Sequence, residues 1–258
     1  MEIVDLGGAI EDGQPVYPGW PKTRIWVSDT HEEVGLQWAD QVDEETEIIK
    51  RSLKPSREGA AQEHPINRTI QVSEHGPTHV DAFTHLDPES EKSVDKIPLE
   101  RFYTRGIAID VSHIGPDEWI HPEDVEEQLD EHGYDVQEGD TLLYHTGHRQ
   151  RNYSTTDVEK RRAYMFDHTG LTEDAAWLLH DLGIENFGVD APTPEHSSAA
   201  QTKEYPVHDM CAAEEILHME NLMNIDEVVG EVFQFIATPL KLVGGTGSPL
   251  RPIAVLEE

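Results

Sequence analysis

The sequence predicts an α/β fold, and two observations predict it. Short aliphatic or β-branched runs recur along the 258 residues, each bounded by Gly, Pro or Asp. Helix candidates with start and stop signals lie between several of them. The length allows one large domain or two small ones, and outside Ser28–Pro65 no stretch reads as an interdomain linker.

The elements follow in order. Ser28–Pro65 is polar, charged and punctuated by Pro and Gly, and reads as a long surface excursion. Strands are expected at Thr69–Val72 and Gly106–Val111. A helix over His121–His132 stops at Gly133. Strands follow at Thr141–His145 and Asn186–Val189, and between them lies the clearest helix, Thr172–Leu182. There Thr172 can cap the start, acids fill the first turn, and Ala176, Leu179 and Leu182 recur at helical spacing before Gly183. Weaker helical signals cover Pro206–Glu215 and Asp226–Val229. The last strands are expected at Val232–Ala237 and Pro252–Leu256. The order of strands in the sheet does not follow from the pattern.

The formal net charge is −33, from 52 acidic and 19 basic residues. Such a chain repels nucleic acid and anionic membrane surfaces, which excludes both as partners. The acid is dispersed over nearly every segment. It therefore reads as a solvated surface adapted to high salt rather than a docking face for a cationic partner. A single cysteine, Cys211, rules out an intrachain disulfide and a Cys-based zinc site. The start, MEIVDLGGAI, lacks a basic region followed by an apolar run, and no segment approaches the roughly 18 apolar residues of a membrane span. The expectation is a cytoplasmic protein.

The segment SEHGPTHVDAFTH places His75, His79, Asp81 and His85 close together. His75 and His79 are four apart, but Gly76–Pro77 between them opposes a helix. A tight loop carrying His75, leading into an extended piece from Thr78, fits better. In an extended piece residues two apart share a face, so His79 and Asp81 point the same way. Two imidazoles and a carboxylate then converge, a set suited to Zn²⁺, Mn²⁺ or Fe²⁺ with positions left for water. A second cluster, EEILHMENL, holds His218 and Glu220, with His208 upstream; alone it is weak.

These stretches resemble the cyclase family of metal-dependent hydrolases, which includes bacterial kynurenine formamidase and isatin hydrolase. The family hallmark, approximately His-x-Gly-Thr-His-x-Asp-x-Pro-x-His, stands here as His75 to His85, with Pro77 where glycine is usual and Phe83 where proline is usual. PVYPGW, SVDKIPLERFYTRGIAIDVS, GDTLLYHTGH, GLTEDAAWLLHDLGIENFGVDAPT, the His208-to-Glu220 stretch and PLKLVGGTGSPLRPIAV are similar to further family blocks in the same order. The resemblance implies the family's swivelling β/β/α fold, with residues 1–258 as a single domain, and a homodimer. It implies one or two divalent metals per subunit, zinc or manganese. His75, His79 and Asp81 would hold one ion. His85 would be a second-metal ligand or the general acid/base. His208 and Glu220 would complete a second site or line the pocket. His218 receives no role.

The expected reaction is hydrolysis of an amide, formamide or lactam in a small aromatic or cyclic substrate, arylformamidase-like first. An isatin-hydrolase-like opening of a cyclic amide or lactone is the alternative. A non-catalytic metal-binding protein is the third reading. Tyr17 and Trp20, with Trp26 and Trp38, are candidates for an aromatic wall around the substrate. No G-x-S-x-G elbow is present for a serine mechanism.

Overall fold

The computed structural model describes residues 1–29 and 67–256. The chain divides into two compact units, Met1–Thr23 with Val72–Glu258, and Arg24–Gln71. In the second unit, strands β2 (Arg24–Asp29) and β3 (Asn67–Gln71) form an antiparallel pair with a register shift between Val27 and Asp29. Ser28 and Asp29, expected at the start of the excursion, thus belong to a strand. Trp26 sits exposed in this pair. Trp38 and the rest of the excursion lie outside the described residues.

The first unit carries β1 (Glu2–Asp5), β4 (His79–Asp81), β5 (Tyr103–Asp110), β6 (Trp119–Ile120), β7 (Thr141–His145), β8 (Gly170–Leu171) and β9 (Asn186–Val189). It continues with β10 (Leu217–Glu220), β11 (Val232–Ile236), β12 (Gly247–Pro249) and β13 (Ile253–Leu256). Nine of these build one mixed sheet in the order β1-β13-β11-β5-β7-β9-β10-β4-β12. The four central strands β5, β7, β9 and β10 run parallel. Parallel neighbours need crossovers. Helices α1 (Pro122–His132), α4 (Glu173–Asp181) and α6 (Pro206–Glu214) lie within these connections. The α/β class expected from the sequence is the class observed.

Local chemistry sets the helix ends. Thr172 accepts from the Ala175 amide at 3.1 Å to start α4, and Gly183 follows with φ +80°, a conformation that favours glycine. At α1, Pro122 occupies the first turn, the His121 amide donates to Asp124, and Gly133 closes the helix at φ +64°. The Asp226–Val229 signal is a single 3-10 turn, Ile225–Glu227. Helices α2 (His148–Asn152), α3 (Val158–Phe166) and α5 (Ala199–Thr202) were not expected. In α3 only Tyr164 is buried, so no apolar stripe announces it.

Alternation along the strands divides the core. Ile107, Ile109, Leu142, Tyr144 and Phe187 pack toward α1, α4 and α6. Ala108, Leu143, Val80, Met219 and Phe235 pack together on the other side. Burial of each large side chain contributes roughly 1.5–3 kcal/mol. No helix among the described residues is long and apolar enough to cross a membrane.

One pairing positions the site. β4 lies antiparallel between β10 and β12, with Val80 opposite Met219 and His79 opposite Glu220. Val80 and Met219 enter the second core cluster. The pleat therefore turns His79, Asp81, His218 and Glu220 to the opposite face.

Candidate metal centre

His75 stands on a turn closed by the Gly76 amide donating to Ser73 O at 3.1 Å. Its Nε2 lies 2.9 Å from Thr246 Oγ1. That hydroxyl donates onward to Glu74 at 2.9 Å, so it must accept from His75. His75 therefore donates from Nε2, and its Nδ1 lies 2.6 Å from Asp81 Oδ1, a hydrogen bond when that nitrogen also carries a proton. Gly247 leaves room for this ring, since a Cβ there would stand 2.5 Å from His75 Cε1.

The same logic repeats at two further histidines. His79 Nδ1 donates to Pro77 O at 2.8 Å. Its Nε2 faces Asp81 Oδ1 at 3.2 Å and Glu220 Oε2 at 3.3 Å. His208 Nδ1 donates to Glu195 Oε1 at 2.9 Å. Its Nε2 faces Glu220 Oε1 at 3.6 Å and Asp81 Oδ2 at 3.9 Å. Three imidazoles thus donate one N–H outward and aim the other ring nitrogen at two buried carboxylates. Each inner nitrogen faces a carboxylate either with its proton or, once that proton is lost, with a lone pair open to a bound cation. The donor set fits a divalent cation, with the outward bonds fixing tautomer and ring orientation as such sites require.

Titration behaviour says the same. Burial alone would push His79 down, but Asp81 and Glu220 override it and lift the ring to about 10. Burial and neighbouring His218 oppose His208 in the same way, yet Glu195 and Glu220 raise it to about 9. Burial would raise Asp81 and Glu220, but the surrounding imidazoles hold both well below the usual carboxylate range. The cluster attracts positive charge, as protons or as a metal.

His85 stands apart. It ends a single 3-10 turn, Phe83–His85, that follows β4. Phe83, in the position where proline is usual in the family, anchors this turn in the core at 6% exposure. His85 Nε2 is 3.7 Å from Asp81 Oδ2, and its side chain remains 23% exposed. Burial lowers its pKa, which keeps the ring neutral at pH 7.

Residues 4–196 match the family model Cyclase. The chain belongs to the cyclase family. A kynurenine formamidase of Salinibacter ruber is 23% identical over 98% of this chain and 97% of its own length. One of Bacillus mycoides is 28% identical over 71% and 77%. An isatin hydrolase bound to the product analogue thioisatinate shares the fold, with a TM-score of 0.77, 19% identity, and coverage of 100% of this chain and 93% of that one.

In this cyclase-family chain, the structure brings five of the six expected residues, His75, His79, Asp81, His208 and Glu220, together, with His85 beside them, 3.7 Å from Asp81. Their side chains group as His75, His79 and Asp81 on one side and Asp81, His208 and Glu220 with His218 on the other. Tyr17 and Trp20 line the adjoining cavity of about 210 Å³, together with Tyr205 and His168. That space suits a small molecule. Trp20 packs 5.6 Å from Tyr17, 5.2 Å from His75 and 6.4 Å from His85 between ring centres.

Two residues were missed. Glu195, 1% exposed, accepts from both the His208 amide and Nδ1 at 2.9 Å. Nothing in its local sequence marks it. His218 was seen beside Glu220 but not placed. The signal was their spacing of two, which on a strand means one face.

Proposed function

We propose that this chain is a metal-dependent hydrolase of an amide, formamide or lactam in a small aromatic or cyclic molecule, arylformamidase-like in its reaction. One observation carries the proposal: three oriented imidazoles aim their inner ring nitrogens at two buried carboxylates beside an aromatic-lined cavity. The full-length likeness to a kynurenine formamidase supports the formamide over other amides.

His75, His79 and Asp81 would hold the catalytic cation, zinc or manganese. When bound, such an ion supplies a water of pKa near ~7 and a Lewis acid for the substrate carbonyl. Trp20 and Tyr17 hold the aryl ring against the histidine side of the cavity. His85 accepts a proton at Nε2 from the attacking water and returns it to the departing nitrogen, which its neutral state permits. Thr246, Pro77 and Glu195 keep the imidazoles from turning. The homodimer implied by the family resemblance belongs to the same proposal, and sedimentation equilibrium checks it.

The test is a substrate panel of N-formylanilides, isatin and simple lactones, run with Zn²⁺ and with Mn²⁺ in high salt. Cleavage of formylanilides is expected. Opening of isatin alone would move the assignment to a cyclic-amide hydrolase. Stoichiometric metal with no turnover would leave a metal-binding protein without this chemistry.

A further inference from the structure

Asp81 is shared unequally between its neighbours. Oδ1 faces His75 at 2.6 Å and His79 at 3.2 Å. Oδ2 faces His218 at 3.2 Å, His85 at 3.7 Å and His208 at 3.9 Å. A carboxylate with a separate donor group at each oxygen is placed to bridge two ions.

His218 is the residue the catalytic reading leaves unused. It lies on β10 two residues before Glu220, and so on the same face. Its ring stacks on Phe187 at 5.8 Å and 19°, and meets His208 edge-on at 4.5 Å and 76°. These contacts fix its orientation. Only 3% of it is exposed. Nε2 points at Asp81 Oδ2 and lies 3.6 Å from Glu220 Oε1, yet no hydrogen bond of good geometry satisfies it. A buried ring nitrogen without a partner is costly, and native structures keep one only for a reason.

We infer that His218 is a ligand of a second cation, completing a four-donor set with Asp81, His208 and Glu220. The four donor atoms lie within 4.8 Å of one another. Two imidazoles and two carboxylates fill a tetrahedral zinc shell. His75, His79 and Asp81 supply only three donors and leave room for water. The two sets therefore divide the work: the His218 set holds its ion closed, and the His75 set keeps an open position. This inference rests on the metal-dependent reading of the site.

The experiment strips the full-length protein with chelator, reloads it with zinc, and measures zinc per chain and affinity for the wild type, His218→Leu and His218→Gln. The wild type is expected to hold two zinc ions, and both variants one, with affinity for the second reduced at least ~10-fold. A His218→Leu protein that keeps two ions at wild-type affinity overturns the inference alone. So does a wild type that holds one. A wild type that binds none overturns the metal centre itself. If the variants fail to fold, zinc-edge anomalous diffraction on the wild type decides. A peak about 2.0–2.1 Å from His218 Nε2 supports the inference. A second peak held by His208 and Glu220 but out of reach of His218 overturns it.

Discussion

Glu195→Gln isolates the charge behind a ligand histidine. Glu195 Oε1 accepts two hydrogen bonds, from the His208 amide and from His208 Nδ1, each 2.9 Å long. Glutamine retains an oxygen at that place, so both bonds keep their shape and His208 keeps its orientation. The substitution removes the negative charge that makes them charge-assisted and raises the basicity of the opposite nitrogen. Loss of such an outer partner weakens metal binding or activity by about 10–100-fold, or about 1.4–2.7 kcal/mol. Glu195→Ala goes further, since it leaves two buried donors unpaired at about 1–3 kcal/mol each. The glutamine variant should therefore melt within a few degrees of the wild type, while the alanine variant melts well below it. Competition titration of the metal-free proteins with a chromophoric chelator reads affinity, and formylanilide hydrolysis reads turnover. A Glu195→Gln enzyme with wild-type affinity and rate would refute the reasoning and reduce Glu195 to a spacer.

His85→Gln should lower turnover by about 10²–10⁴-fold while metal content by elemental analysis stays at the wild-type value; equal loss of both would make His85 a ligand instead. His168 is 3% exposed, and burial, with help from His148 and His196, depresses its pKa to about 4. The unfolded ring titrates near ~6.5, so between these values the unfolded state binds the extra proton, and stability falls as the pH drops through that window, by up to about 3 kcal/mol. Urea midpoints of the wild type and His168→Gln at pH 7 and pH 5 isolate this loss: relative to the variant, the wild type should lose stability as the pH falls. The net charge of −33 predicts a melting temperature that climbs with added KCl; a flat dependence would remove salt adaptation from the account.

The heart of the site was legible because its signals are local. Gly76–Pro77 breaks any helix, and the spacing of two sets His79 and Asp81 on one face, which is how β4 presents them. Thr172 and Gly183 bracket α4 for equally local reasons. What the sequence hid depends on pairing. His218 and Glu220 share a face only because Leu217–Glu220 is a strand, and four residues give too short a pattern to declare one. That strand reaches Asp81 only through its antiparallel pairing with β4, and strand order is not a property of any window of residues. Glu195 lies in a loop beyond β9, and its meaning arises only where His208 folds back on it. Helix α3 was missed because a solvent-facing helix with one buried side chain carries no stripe.

The most direct test of a metal-dependent hydrolase held together by His75, His79 and Asp81 is chelation and reconstitution followed on formylanilide hydrolysis. The account predicts no turnover from the metal-free enzyme, recovery in proportion to added Zn²⁺ or Mn²⁺, and no recovery when His79 is alanine. Undiminished turnover from protein stripped of metal would contradict it.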